Sequence, residues 1–151
     1  MEPVEPDRSK PFSHQCTGMV LRAFAVHPVY RRSEAAKTAA SLLKSRFFQP
    51  DAYTSYQAAS YWLRFEYPFW WNNLLAAMDS ISRIGLPKDD LLIEDDQIAR
   101  ALDWFRDHQE ASGLWKVSYA NPEEQEKGNP KTQSMKRWVS LAICRVFKRI
   151  G

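Results

Sequence analysis

The sequence predicts an all-α fold of about five antiparallel helices that alternate between an inner and an outer layer. Three observations carry this reading. Five segments place apolar residues at helical spacing, and Pro or Gly stops separate several of them. The segments imperfectly copy one another: Val20-Leu21 aligns with Leu74-Leu75, Leu42-Leu43 with Trp104-Phe105, and Trp71 with Trp138. The first, third and fifth segments read as the inner layer, and the more charged second and fourth as the outer one.

The segments follow in order. Residues 1–12 hold three prolines and mixed charges, which predicts a disordered or extended arm ahead of one domain over 13–151. The first helix, 14–27, places Val20, Ala23, Phe24 and His27 on one face, with Pro28 as its stop. Ser33 caps the second, 34–47, whose stripe is Ala36, Ala39, Ala40, Leu43 and Phe47. Residues 48–69 are irregular and rich in aromatics, and the Tyr61–Tyr67 run is expected to be extended. Those aromatics have two readings: a plug over the end of the helical layer, or a lid over a cavity. Pro68 is expected to open the third helix, which has Leu74, Leu75, Met78, Ile81 and Ile84 inward and a stop at Gly85. Asp95 or Asp96 caps the fourth, about 96–110, with Ile98, Ala101, Leu102 and Phe105 inward. Residues 119–134 are polar and expected to be mobile. The last helix, 135–150, turns Val139, Ala142, Ile143, Val146 and Phe147 inward.

The bulk composition bounds the function classes. The 151 residues suffice for one real core, and 44% are hydrophobic and 26% charged. Net charge is only +3, without a long block of like charge, so nucleic acid is not an expected partner. Lys136, Arg137, Arg145, Lys148 and Arg149 read as a solvated helix face. No apolar run reaches the length of a membrane span, and the N-terminus has no apolar signal core. Cys16 and Cys144 form no disulfide framework and read as small core residues, which favours a reducing, cytoplasmic location.

The run Ala101-Leu102-Asp103-Trp104-Phe105, then Gln109, then Gly113-Leu114-Trp115, resembles the repeat of the squalene and oxidosqualene cyclases. More broadly, the chain resembles the prenyltransferase and squalene-oxidase repeat proteins. The helical pattern covers about residues 14–150, but only residues 100–115 carry the motif. The resemblance implies a partial α/α toroid around a central cavity. It also implies that Trp104, Gln109, Gly113 and Trp115 act as structural staples, with the Gln and Trp closing a helix end over a glycine turn. Five helices are fewer than half of a closed ring, so the chain is expected to be a C-terminal fragment whose first helix exposes apolar surface.

The chemistry of the resembling enzymes has no match in the residues. The Asp-x-Asp-Asp proton donor and the Asp-Asp-x-x-Asp diphosphate pattern are absent, and Asp89-Asp90 and Glu94-Asp95-Asp96 read as caps. His14-x-Cys16 is the one close Cys/His pair, which is not a zinc ligand set. No cofactor, metal or catalytic residue is therefore expected. The function expected is a non-catalytic helical-repeat domain that binds an apolar small molecule or a protein in its aromatic concave face. The residues expected to line it are Tyr61, Trp62, Tyr67, Phe69, Trp70, Trp71 and Trp138. Self-association, or pairing with a missing N-terminal half, is the other partner expected. The alternative is a diverged or truncated terpene cyclase or prenyltransferase. A third reading is a carbohydrate-active toroid, with Tyr61, Trp62, Trp70 and Trp71 as sugar platforms and Glu66 and Asp79 as carboxylates.

Overall fold

The computed structural model describes residues 13–51, 57–69, 71–84, 95–118, 123 and 128–151. The expected arm at 1–12, Trp70, Gly85, and the Asp89-Asp90 and Glu94 carboxylates lie outside the described residues. Five α-helices are present among the described residues: α1 His14–Val26, α2 Glu34–Lys44, α3 Leu74–Ile84, α4 Asp96–Asp107 and α5 Pro130–Ile150. Short 3-10 turns stand at Tyr30–Arg32 and Ala59–Leu63. No strand occurs among the described residues, where one isolated antiparallel bridge joins Gln109 to Trp115. The protein is all-α.

The core is built around α3. Every residue of this helix except Arg83 is buried. Leu74, Leu75, Met78, Ile81 and Ile84 supply the bulk, and Ala76 and Ala77 let neighbours approach closely. The helices α1, α2, α4 and α5 all touch α3, and α2 also packs along α1. One contiguous apolar cluster results, reaching from Leu21 on α1 and Leu43 on α2 to Ile98 on α4 and Val146 on α5.

Local signals set the helix starts. Ser13 Oγ accepts from Cys16 N, and Ser33 Oγ from Ala36 N. Asp95 caps α4 by accepting from the N–H groups of Gln97 and Ile98. Its carboxylate also pairs with Lys44 of α2, so one residue both starts α4 and ties it to α2. Asn73 starts α3: Oδ1 accepts from Ala76 N at 2.8 Å, and Nδ2 donates to Arg64 O at 2.7 Å.

Several expectations are corrected. The inward stripe of α1 is rotated: Gly18, Leu21 and Ala25 are buried, while Val20, Ala23 and His27 are exposed. With apolar residues on every side, α1 has no unique stripe to read. Helix α2 ends at Lys44, although Phe47 is buried as expected. Pro68 does not open α3. It follows a cis peptide bond at Tyr67–Pro68, six residues before the helix begins. The 3-10 turn Ala59–Leu63 takes in residues 61–63, the start of the Tyr61–Tyr67 run that was expected to be extended. Helix α4 stops at Asp107. Helix α5 starts at Pro130, capped by Asn129, so residues 130–134 belong to a helix and not to a loop. Both cysteines are exposed free thiols and not core residues.

Candidate functional site

The loop before α3 is held against α1 by paired amides. Gln15 Nε2 donates to Asn72 O at 3.0 Å, and Asn72 N donates to Gln15 Oε1 at 2.9 Å. Asn72 Nδ2 donates to His14 O at 3.1 Å. Arg22, two turns along α1, extends this clamp. Its Nη1 donates to Phe69 O at 2.7 Å and its Nη2 to Trp71 O at 3.4 Å. The guanidinium also lies over the Phe69 ring, 5.8 Å from its centroid. The backbone from Phe69 to Asn72 is thereby fixed along the side of α1.

This loop forms one wall of a groove of about 320 Å³ between α1, α3 and α5. Tyr67, Pro68 and Phe69 line that wall. The Tyr67 ring stacks on Trp138 of α5, with centroids 5.3 Å apart and planes 10° from parallel. Phe69 meets Tyr67 edge-on at 5.4 Å. Trp138 is 46% exposed, so the stack reaches solvent. Ala25 and Val26 of α1 and Ala142 of α5 add apolar surface.

The remaining lining is charged. Arg22, Arg83 and Arg145 come from α1, α3 and α5, and Asp79 and Ser80 from α3. The buried Asp79 carboxylate is engaged on both oxygens. Oδ2 accepts from Arg83 Nε at 2.9 Å, and Oδ1 accepts from Arg149 Nη1 at 2.8 Å. Arg149 Nη1 also donates to Ser82 Oγ at 3.1 Å. Burial lowers the Arg22 pKa from its ordinary value, and the Asp79 charge opposes that shift. A second groove of about 430 Å³ adjoins the first through Ala25, Val26 and Arg83, and adds Arg31 and Arg149.

The expected lining residues divide. Tyr67 and Phe69 line the groove, and Trp138 stacks on Tyr67 at its edge. Trp71 is 54% exposed and meets the site through its carbonyl, which Arg22 holds. Tyr61 lies under the Arg64 guanidinium at 3.9 Å. Trp62 is a core residue. It is buried between Phe47 and His14, and its Nε1 donates to Gln49 O at 2.9 Å. It cannot serve as a sugar platform, and Asp79 is bound to two arginines. In the sequence Arg145 and Arg149 read as part of a solvated helix face, and Arg22, Arg31 and Arg83 stand far from them along the chain. Only the helix packing brings them together. Lys136 leaves the expected solvated face, buried and paired with Glu110 at 2.8 Å, whereas Arg149 stays exposed while its guanidinium reaches Asp79.

The repeat motif forms a separate cluster at the C-terminal end of α4. Trp115 is buried, and its Nε1 donates to Phe105 O at 2.7 Å. Gln109 Nε2 donates to Gly113 O at 2.8 Å across the turn, and Gly113 takes φ +79°. Trp104 stacks on His108 at 3.9 Å and meets Phe65 edge-on at 5.2 Å. Trp115 N donates to Ser140 Oγ at 3.1 Å, which joins the turn to α5.

No group of three or more His, Cys, Asp or Glu residues with metal-binding geometry occurs among the described residues. No helix among them is long and apolar enough to cross a membrane. No family model, curated protein or solved structure matches this chain.

Proposed function

We propose that this chain is a non-catalytic helical-repeat domain, an arc of a toroid like those of the terpenoid cyclases and prenyltransferases. In this reading it binds an apolar or aromatic part of a ligand in the groove between α1, α3 and α5. The observation that carries the proposal is the Tyr67–Trp138 stack beside that groove. Two large rings are held parallel, Phe69 supports one of them, and the outer ring stays half exposed. An aromatic and apolar concave wall, with polar groups at fixed places around it, is a usual form of a small-molecule site. The groove's own carboxylate, Asp79, is bound to Arg83 and Arg149, which argues against a free proton donor there. A cytoplasmic location accompanies the proposal, because exposed free thiols such as Cys16 and Cys144 persist in reducing compartments.

The test is titration with N-phenyl-1-naphthylamine, a neutral dye that fluoresces in apolar surroundings. Saturable enhancement is expected, with loss of most of it in Trp138→Ala. That side chain is half exposed, so the fold survives its removal. Equal enhancement in the variant, or none in the native chain, would remove the groove as the site.

A further inference from the structure

The two adjoining grooves share a charge imbalance. Arg22, Arg31, Arg83, Arg145 and Arg149 line them, against the single carboxylate of Asp79. Asp79 is committed through both oxygens. Arg83 is held to it through Nε and Arg149 through Nη1. Arg22 is held by carbonyl oxygens, which orient a guanidinium without neutralising it. Its Nε is buried without a hydrogen-bond partner. The Arg145 and Arg31 side chains make no ion pair or hydrogen bond among the described residues. Such a concentration of like charge is unfavourable unless a counter-charge relieves it. The guanidinium fork matches the oxygens of carboxylate and phosphate groups.

We propose that this arginine cluster binds the phosphoryl group of a phosphorylated small molecule whose apolar or aromatic body rests on the Tyr67–Phe69 wall. A carboxylate would supply a single charge to guanidiniums gathered from three helices and a 3-10 turn. A phosphate monoester supplies close to two charges and three acceptor oxygens. The anion site deepens the proposed function, since Arg22, Arg83 and Arg145 line the same groove as Tyr67 and Phe69.

The experiment is calorimetric titration of the full chain with inorganic phosphate and with phenyl phosphate, at low and high salt. A third arm measures flotation with phosphatidylcholine vesicles, with and without phosphatidylglycerol. Saturable phosphate binding that weakens with salt is expected. Arg145→Gln and Arg31→Gln should each weaken it at least about tenfold, since each removes a charge-assisted contact. Neither arginine has an internal partner, so unchanged melting curves will show that both variants fold. Tighter binding of phenyl phosphate than of phosphate would support the shared groove. Phosphate binding without that gain sustains the anion site and counts against the aromatic wall. Dye binding without phosphate binding does the reverse and overturns this inference. Flotation only with phosphatidylglycerol, without binding of free phosphate, also overturns it and assigns the arginines to a lipid surface.

Discussion

Gln15 and Asn72 exchange two hydrogen bonds, side-chain amide to backbone amide, at 3.0 and 2.9 Å. Both residues are buried, and the pair joins the first turn of α1 to the residue just before the Asn73 cap of α3. Two of the three helices that build the groove, α1 and α3, are therefore registered at their N-terminal ends.

That registration requires Gly18. A Cβ there would lie 2.1 Å from Asn72 Cγ and 2.7 Å from its Cβ. In an open helix, Gly→Ala gains about 0.5–1 kcal/mol from backbone entropy. Here the overlap reverses the sign, and Gly18→Ala should destabilise by about 1–3 kcal/mol, the usual cost of overpacking. Urea denaturation would measure it. A stabilised variant would show that the α1–Asn72 contact is loose.

Trp115→Ala should cost about 3–5 kcal/mol, the range for removing a large buried aromatic. The loss combines a cavity with the bond from Nε1 to Phe105 O near the end of α4. Trp115→Phe keeps most of the volume and loses the donor, so it should fall between native and alanine. Unchanged melting of the alanine variant would refute a staple role for this residue.

Asp79→Asn should destabilise by about 2–3 kcal/mol, because it leaves two guanidiniums facing each other without the carboxylate. The deficit should shrink when phosphate is added, since an added anion replaces the missing charge. Thermal melts with and without phosphate would measure both effects.

His14 makes stability depend on pH. Its ring is buried 4.6 Å from Trp62, and its Nδ1 has no hydrogen-bond partner. Burial lowers its pKa from 6.5, with Asp51 opposing and Arg46 adding to the shift. The unfolded chain then binds the proton more readily than the folded one. This contribution is complete above pH 6.5 and is lost as pH falls from 6.5 to the lower folded value. Melting midpoints measured from pH 8 to 5 should fall across that window, and His14→Phe should remove this part of the slope. The Asp95 contribution lies lower. Burial would raise its pKa, but the hydrogen bond from Lys44 and the bonds from Ile98 and Gln97 prevail and lower it from 3.8. Its share of stability is present above 3.8 and is lost as pH falls through the folded value.

Some of this was legible in the residues and some was not. The stripes of α2, α3 and α4 follow from apolar spacing: Ala36, Ala40 and Leu43, the five large residues of α3, and Ile98, Ala101, Leu102 and Phe105 are all buried. The caps at Ser33 and Asp95 follow from residue type at a helix start. The facing of α1 does not, because Met19, Val20 and Val26 make its outer side apolar too. Trp62 shows the same limit in a loop. An aromatic in an irregular segment looks available, and only its contacts with Phe47, His14 and Gln49 reveal a core residue. The groove was half visible. Tyr67, Phe69 and Trp138 stood out as aromatics, whereas its arginines converge from distant parts of the chain.

The near-complete enclosure of α3 has a consequence for how the molecule opens. Solvent can reach the amides from Leu74 to Ile84 only after neighbouring helices have moved away, since ten of the eleven residues are buried. Local fraying is thus unavailable to this segment, and its deuterium uptake should follow global unfolding. The helices packed around it, α1, α2, α4 and α5, each bury only a minority of their residues and can open at lower free energy. The chain would then lose contacts from the surrounding helices before the helix that carries Asp79, so the arginines' shared anchor is among the last features to come apart.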